Sequence, residues 1–279
     1  MASHSGILIV VPTPIGNRED ITLRALRVLR EADLICCEDT RHTGPLMEYY
    51  EVHAPLLSYE KFNEEARSRE ILDRVAQGQK VCLVSDAGMP GISDPGSILI
   101  RHAIDRDLPF TVLPGPSAAD TCFVASGLGE GAYTFLGFLP RKGKERREAL
   151  ERLDRMETAA VIYEAPHRVR RTLEEFGERW PDRRMAYLRE WTKAYEERKS
   201  FMGREVSELD LVEKGEFVLV IEGADPKDQA PDREAVMNRL KALIDSGLST
   251  KDAVREVLDW SGLSKNDLYQ ASLNITKKK

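Results

Sequence analysis

The run Val81-Cys82-Leu83-Val84-Ser85-Asp86-Ala87-Gly88-Met89-Pro90-Gly91-Ile92-Ser93-Asp94-Pro95-Gly96 decides the fold. Its first four residues are apolar and bounded by turn formers, which predicts a short buried strand. The next twelve hold three glycines, two prolines and two aspartates. Neither helix nor strand survives that composition, because glycine admits positive φ and proline fixes φ and removes a donor. A rigid loop at the carboxyl end of a buried strand is where open α/β sheets hold their ligands.

Outward from this loop the same alternation repeats. Residues 6–11 read as a first strand ending in Pro12-Thr13-Pro14-Ile15-Gly16-Asn17. Asp20 or Thr22 is placed to cap a following helix, with Leu23, Ala25, Leu26, Val28 and Leu29 as its buried face. Residues 34–37 form a second strand closed by Glu38-Asp39-Thr40-Arg41, and Leu56-Leu57 begins a weak third. Helices are predicted over 63–76 and 97–105, and a strand over 110–113 that ends in Pro114-Gly115-Pro116-Ser117 before another helix. This β-α order implies a mostly parallel sheet with helices on both faces. Beyond the glycine cluster of 127–131 a second unit carries strands near 133–138, 159–163, 184–188 and 216–221, with helices near 144–155 and 169–176. A polar connector over 224–232 leads to three short helical patterns, 233–245, 250–259 and 264–274, of the helix-turn-helix kind. The expected division is an α/β domain over 1–127, a second over 128–225 and a helical extension over 230–279.

Bulk properties narrow the partners. A hydrophobic content of 42% and charged content of 32% are ordinary for a soluble globular chain. The net charge of −6 opposes whole-molecule attraction to nucleic acid, so an RNA partner requires a local basic face. No apolar run approaches a membrane span, and residues 1–6 lack a signal peptide's basic start. Cys36, Cys37, Cys82 and Cys122 have no metal-ligand spacing and read as buried thiols in a reducing cytoplasm.

In a parallel sheet the loops 12–17, 38–41, 85–96 and 114–117 share one edge and are expected to converge on one cleft. They hold no lysine and one arginine, Arg41. The chain has neither the Lys-Ser/Thr phosphate loop nor the Gly-x-Gly-x-x-Gly fingerprint, which disfavours nucleoside triphosphates, NAD and FAD. An acidic, lysine-poor pocket suits a cationic ligand such as S-adenosylmethionine. The same loops read equally well as tight connecting turns.

Thr13-Pro14-Ile15-Gly16-Asn17 with Asp20-Ile21, Glu38-Asp39-Thr40-Arg41, the 85–96 loop and Leu113-Pro114-Gly115-Pro116-Ser117-Ala118 form an ordered set of short motifs. Tyr163-Glu164-Ala165-Pro166-His167-Arg168, Leu188-Arg189-Glu190 with Thr192-Lys193, Lys214-Gly215-Glu216-Phe217 and Asn266-Asp267-Leu268-Tyr269 continue it. Together they resemble the ribosomal small-subunit methyltransferase I family of the tetrapyrrole-methylase-like (class III) methyltransferases. The resemblance covers nearly the whole chain. Related class III enzymes have a more glycine-rich first loop, a difference that points away from porphyrinoid substrates. Ala165 stands where that motif more often has serine.

The resemblance implies two α/β domains of the tetrapyrrole methylase type with S-adenosylmethionine in the cleft between them, and no metal. It implies 2′-O-methylation of a cytidine in the decoding centre of 16S rRNA, within the 30S subunit, by a cytoplasmic homodimer. The cofactor residues expected are Pro12, Thr13, Pro14, Ser85, Asp86, Ala87, Gly88, Met89, Pro90, Gly91, Ile92, Pro116, Ser117, Ala118, Tyr163 and Glu164. Catalytic roles fall to Glu164, Asp39 and Lys193, with Glu164 beside the reacting hydroxyl. RNA contacts fall to Arg41, Arg141, Lys142, Lys144, His167 and Arg168. Blander readings stand beside these: Glu164 capping the helix after Pro166, Asp39 pairing with Arg41, and His167 as a plain first-turn residue. A different RNA or small-molecule substrate, or a non-catalytic ribosome-assembly role on the same fold, are the other functions compatible with the chain.

Overall fold

A computed structural model describes residues 6–225, 233–261 and 263–276. The expectations for residues 1–5, the connector 226–232, Gly262 and Lys277–Lys279 lie outside the described residues.

The first sheet contains β1 (Ile7–Val10), β2 (Leu34–Cys37), β3 (Leu56–Ser58), β4 (Lys80–Leu83) and β5 (Phe110–Val112). Its order is β3-β2-β4-β1-β5, and every pairing is parallel. Alternate residues of each strand feed opposite faces. Ile9, Ile35, Cys37 and Cys82 pack with Val28, Leu29 and Met47 of α1 (Leu23–Arg30) and α2 (Thr40–Tyr49). Leu8, Leu34, Cys36 and Val81 pack with Ile71, Leu72 and Leu99 of α3 (Glu64–Ala76) and α4 (Ser97–Asp105). Burial on both faces explains why these strands read as continuous apolar runs.

Of the two cap residues offered for α1 one is used, and two local features depart from expectation. Thr22, not Asp20, caps α1, its Oγ1 accepting from the Ala25 N–H at 3.1 Å. Leu23 is 86% exposed rather than buried. It lies two residues before Ala25, about 200° round the helix, so it faces away from the stripe of Ala25, Val28 and Leu29. Helix α2 was not expected, because Gly44-Pro45 reads as a breaker. Asp39 caps it through the Arg41 N–H at 2.8 Å, and burial of Thr43 and Met47 offsets the bond that Pro45 removes.

The second sheet contains β6 (Tyr133–Phe138), β7 (Ala159–Glu164), β8 (Arg184–Arg189), β9 (Glu197–Met202) and β10 (Phe217–Ile221) in the order β6-β7-β10-β8-β9. Only β6 and β7 run parallel. Strand β9, Glu-Arg-Lys-Ser-Phe-Met, is an unexpected edge strand whose charges hide its periodicity. Glu197 anchors it by accepting from Tyr187 Oη at 2.6 Å and Arg189 Nε at 2.8 Å. Helix α5 (Ala118–Ser126) starts at the end of β5 yet packs on the second sheet, with Ala119 and Cys122 against Val161, Ala186, Leu188 and Val218. The chain therefore changes sheets at 113–117, ahead of the glycine cluster.

Both sheets belong to one compact unit, which comprises the chain as far as Arg141 together with Ala159–Glu222. It includes α7 (Pro166–Arg179). The other unit holds α6 (Gly143–Asp154) with α8 (Arg233–Asp245), α9 (Thr250–Ser261) and α10 (Lys265–Thr276). The last three share a core of Val236, Leu240, Val254, Val257 and Leu268. Ser249 and Ser264 cap α9 and α10, accepting from Asp252 and Asp267 N–H groups at 3.2 and 3.1 Å. Among the described residues no helix is long and apolar enough to cross a membrane.

Candidate active site

A cavity of about 370 Å³ opens at the carboxyl ends of the first sheet's strands and is closed on its far side by the second sheet. From the first sheet come Ile15, Ala87, Gly88, Met89, Ile92, Ser93 and Asp94, followed by Ser117 and Ala118 at the start of α5. Phe138, Tyr163, Glu164, Ala165, Pro166, Glu216, Phe217 and Val218 complete it. The second set converges because β10 lies antiparallel to β7 with Phe217 opposite Glu164.

The first loop and the 85–96 loop are knitted together behind this wall. Thr13 and Gly88 exchange backbone hydrogen bonds, each of 3.0 Å. The buried Thr13 hydroxyl donates to the Ser85 carbonyl at 3.0 Å, and Ser85 Oγ donates to the Gly88 carbonyl at 3.0 Å. Pro12, Thr13, Pro14, Ser85 and Pro90 are buried and do not line the cavity; Gly91 and Pro116 are also outside its lining. They shape the wall, while Ala87, Gly88, Met89, Ile92, Ser117, Ala118 and Tyr163 line it. Sequence reasoning missed Ile15, Ser93, Asp94, Phe138, Ala165, Pro166 and the 216–218 segment.

The expected single cleft is divided. Glu38, Asp39, Thr40, Arg41 and Asp86 line a second cavity of about 440 Å³, together with Ser58, Glu60, Lys61 and Phe62. Asp39 and Arg41 are thus held away from the first cavity. Asp39 accepts from Arg41 Nη2 at 2.6 Å and from the Arg41 N–H, and these bonds hold its carboxyl down to about 2. Asp86 accepts from the Asp39 N–H at 3.3 Å and sits 3.5 Å from His42 Nδ1. Phe62 is 99% exposed at the rim.

Glu164 reaches the first cavity, but its buried carboxylate is engaged. Oε1 accepts from the Ala165 N–H at 2.8 Å and lies 3.2 Å from Arg168 Nε, and Oε2 accepts from Thr172 Oγ1 at 2.7 Å. These contacts tie the end of β7 to Arg168 and Thr172 of α7, whose N-cap, Ala165, has no side-chain cap bond. Arg168 also donates to the Leu139 carbonyl at 3.0 Å, so part of its guanidinium is committed within the protein. Lys193 binds Glu190 at 3.0 Å and Glu216 at 2.9 Å. Burial alone pulls its ammonium down, but the two carboxylates outweigh it and the net shift is upward, which leaves it a poor base. His167, Arg141, Lys142 and Lys144 are exposed, with Lys144 3.5 Å from Glu148.

Asp94 differs from all of these. Burial, then the charges of Glu38 and Asp86, push its carboxyl up to about 6. The folded protein therefore binds this proton more tightly than the unfolded chain. That contribution to stability is full below about pH 4 and lost as the pH rises through about 6. Asp94→Asn is expected to raise the melting temperature above that of the wild type at pH 8, with the gain closing by pH 4; thermal unfolding at both values checks it.

The sequence pattern of the tetrapyrrole (corrin/porphyrin) methylases matches residues 7–207, and that of the RsmI C-terminal HTH domain matches residues 230–276. Solved structures share the fold. Diphthine synthase superposes with a TM-score of 0.61 at 15% identity, covering 77% of this chain and 90% of that one. The uroporphyrin-III C-methyltransferase of Thermus thermophilus complexed with S-adenyl homocysteine gives 0.54 at 20% identity, with coverages of 77% and 97%. These place the α/β part in the tetrapyrrole methylase class.

Closer relatives are named ribosomal RNA small subunit methyltransferase I. That of Halalkalibacterium halodurans is 38% identical over 273 residues, covering 95% of this chain and 93% of its own. That of Escherichia coli O157:H7 is 39% identical over 279 residues, with coverages of 97% and 96%. The chain belongs to the ribosomal RNA small subunit methyltransferase I family.

Proposed function

We propose that the protein methylates the ribose 2′-oxygen of a cytidine in 16S rRNA, in the decoding centre of the 30S subunit, using S-adenosylmethionine. What carries the reading is the cavity: its lining holds no lysine or arginine, three carboxylates and three aromatic rings, in a chain similar over its full length to rRNA methyltransferases. The donor set suits the cofactor. Tyr163, Phe138 and Phe217 offer flat apolar surface to a purine, the lining residues Ala87, Met89 and Ser117 offer polar groups, and the carboxylates favour a cationic centre. When bound, S-adenosylmethionine supplies an electrophilic methyl carbon on sulfonium. The protein's own part is to fix a ribose hydroxyl behind that carbon and to accept its proton, since positioning of this kind is worth roughly 7–11 kcal/mol. Action in the cytoplasm as a homodimer belongs to the same proposal.

Calorimetric titration of the full chain with S-adenosylmethionine, followed by mapping of 2′-O-methyl groups on unmodified 30S particles, tests it. Saturable binding and one new methylated cytidine are expected. Binding without methylation favours a ribosome-assembly protein on an inherited fold, and methylation elsewhere favours a different substrate.

RNA approaches through the second cavity. Phe62, exposed in a lining that also includes Lys61 and Arg41, is a stacking surface for an unpaired base. Base–aromatic stacking contributes about 1–3 kcal/mol. Phe62→Ala is therefore expected to weaken 30S affinity roughly 5- to 150-fold with cofactor affinity unchanged, as read by filter binding and calorimetry. An unaltered 30S affinity would move the RNA to another surface, such as Arg141, Lys142 and Lys144.

A further inference from the structure

The first cavity contains three carboxylates, and two are committed. Glu164 holds the start of α7 through Ala165, Arg168 and Thr172. Glu216 is bound by Lys193, and its side chain is mostly exposed. Asp94, half-buried in the cavity wall, makes no hydrogen bond or ion pair among the described residues.

Its backbone is held where it is. Ser93 adopts a left-handed φ of 67°. Gly96 has φ 143°, and a Cβ there would meet Leu83 Cδ2 at 2.9 Å, so the loop returns tightly against β4. On the other side Ser93 Oγ comes within 3.5 Å of the place a Cβ would take on Gly137 of β6. Asp94 is thus presented from a loop fixed against both sheets. The charged groups around it are Glu38 at the end of β2 and Asp86 at the end of β4, both acidic. Across the cavity the titratable groups are Tyr163 and Glu164 of β7 and Glu216 just before β10, of which Tyr163 feels the charge of Asp94. No cation lines the wall to neutralise it. A partly buried carboxylate without a partner is costly, and such costs concentrate where a group has chemistry to perform.

We propose that Asp94 is the general base of the methyl transfer, taking the proton of the ribose 2′-hydroxyl. The inference rests on the function proposed above. Asp94 Oδ takes the hydroxyl proton as the ribose oxygen bonds to the methyl carbon. The carbon–sulfur bond breaks with its electron pair returning to sulfur, and the proton then passes from Asp94 to solvent. A carboxyl tuned towards neutrality accepts that proton better than an ordinary aspartate and is still ionised at pH 7.

Four measurements on the full chain test this. Under single-turnover conditions at saturating cofactor, Asp94→Asn should lower the rate about 10²- to 10⁴-fold. Its affinity for S-adenosylmethionine by calorimetry should stay within about threefold, and Asp94→Glu should recover part of the rate. The wild-type rate should fall below a midpoint near pH 6, a limb absent from Asp94→Asn. Independently of any variant's folding, ¹³C-carboxyl NMR of the wild type should show an aspartate titrating near 6. An unchanged Asp94→Asn rate overturns the proposal. So does a loss confined to cofactor affinity, which would make Asp94 a cofactor ligand, and so does the absence of any aspartate titrating above 5. Wild-type protein that methylates no ribose hydroxyl overturns the functional reading and this inference with it, whereas wild-type activity retained in Asp94→Asn overturns the inference alone.

Discussion

Glu164→Ala is expected to destabilise the protein by about 3–5 kcal/mol. The substitution strands three donors at once: the Ala165 N–H, the Thr172 hydroxyl and the Arg168 guanidinium. Thr172 is itself buried, so water cannot take the carboxylate's place there. Most of the loss is the desolvation of groups left unpaired, not the removal of favourable contacts. Glu164→Gln keeps both acceptor geometry and volume on one side and is expected to lose about 1–2 kcal/mol. Urea unfolding of the two variants separates the cases; near-equal losses would show that the charge, which both variants remove, carries the anchor. Because Ala165 and Pro166 line the cavity, cofactor affinity should fall together with α7's first turn in the alanine variant. In the glutamine variant the methyl-transfer rate should be nearly preserved, the opposite of what a general base at this position requires.

Gly16→Val is expected to abolish most cofactor binding and to cost roughly 1–3 kcal/mol through overpacking. A Cβ on Gly16 would stand 2.5 Å from Thr192 Oγ1, 2.6 Å from Lys193 Cγ and 3.1 Å from the Trp191 carbonyl. None of these can yield cheaply. Thr192 has a left-handed φ of 66°, its Oγ1 accepts from the Asn17 N–H at 3.0 Å, and Lys193 is tied to two glutamates. The strain is relieved by moving the 12–17 loop, and Ile15 leaves the cavity wall with it. Calorimetry should show at least a tenfold weaker S-adenosylmethionine affinity; unchanged binding would mean that the loop yields without disturbing the wall.

How much of this was legible in the chain follows from the range of the interactions. The first sheet was readable because parallel strands buried on both faces advertise themselves as apolar runs ending in glycine- and proline-rich loops. Helix α2 was not, because Gly44-Pro45 outweighs locally what Thr43, Met47 and Tyr50 gain from a sheet that the local sequence does not show. Strand β9 was hidden by charges that suit an edge. At the site, the 85–96 loop was identified as a ligand loop, yet Asp86 was favoured over Asp94. That Asp94 faces the first cavity and Asp86 the second depends on the turn at Ser93 and on contact with β6, both invisible in composition. Phe217 and Val218 were missed because they arrive through antiparallel register with a strand some fifty residues earlier. The bland reading of Asp39, as the partner of Arg41, describes its geometry well, whereas Glu164 holds Arg168 and Thr172 of α7 and forms no cap bond at the helix start: a carboxylate at a strand end is within reach of the next helix before any substrate arrives.

The four thiols have a use of their own. Cys36, Cys37 and Cys82 lie within the first sheet, alternating between its faces, and Cys122 lies on α5 above the second. All are fully buried, and burial pushes every one of them towards the unreactive thiol form, Cys82 and Cys122 up to about 12. A small alkylating reagent can therefore label each only when its own layer opens. Mass-resolved labelling rates would time the breathing of the two halves separately, with and without cofactor, in the unaltered protein.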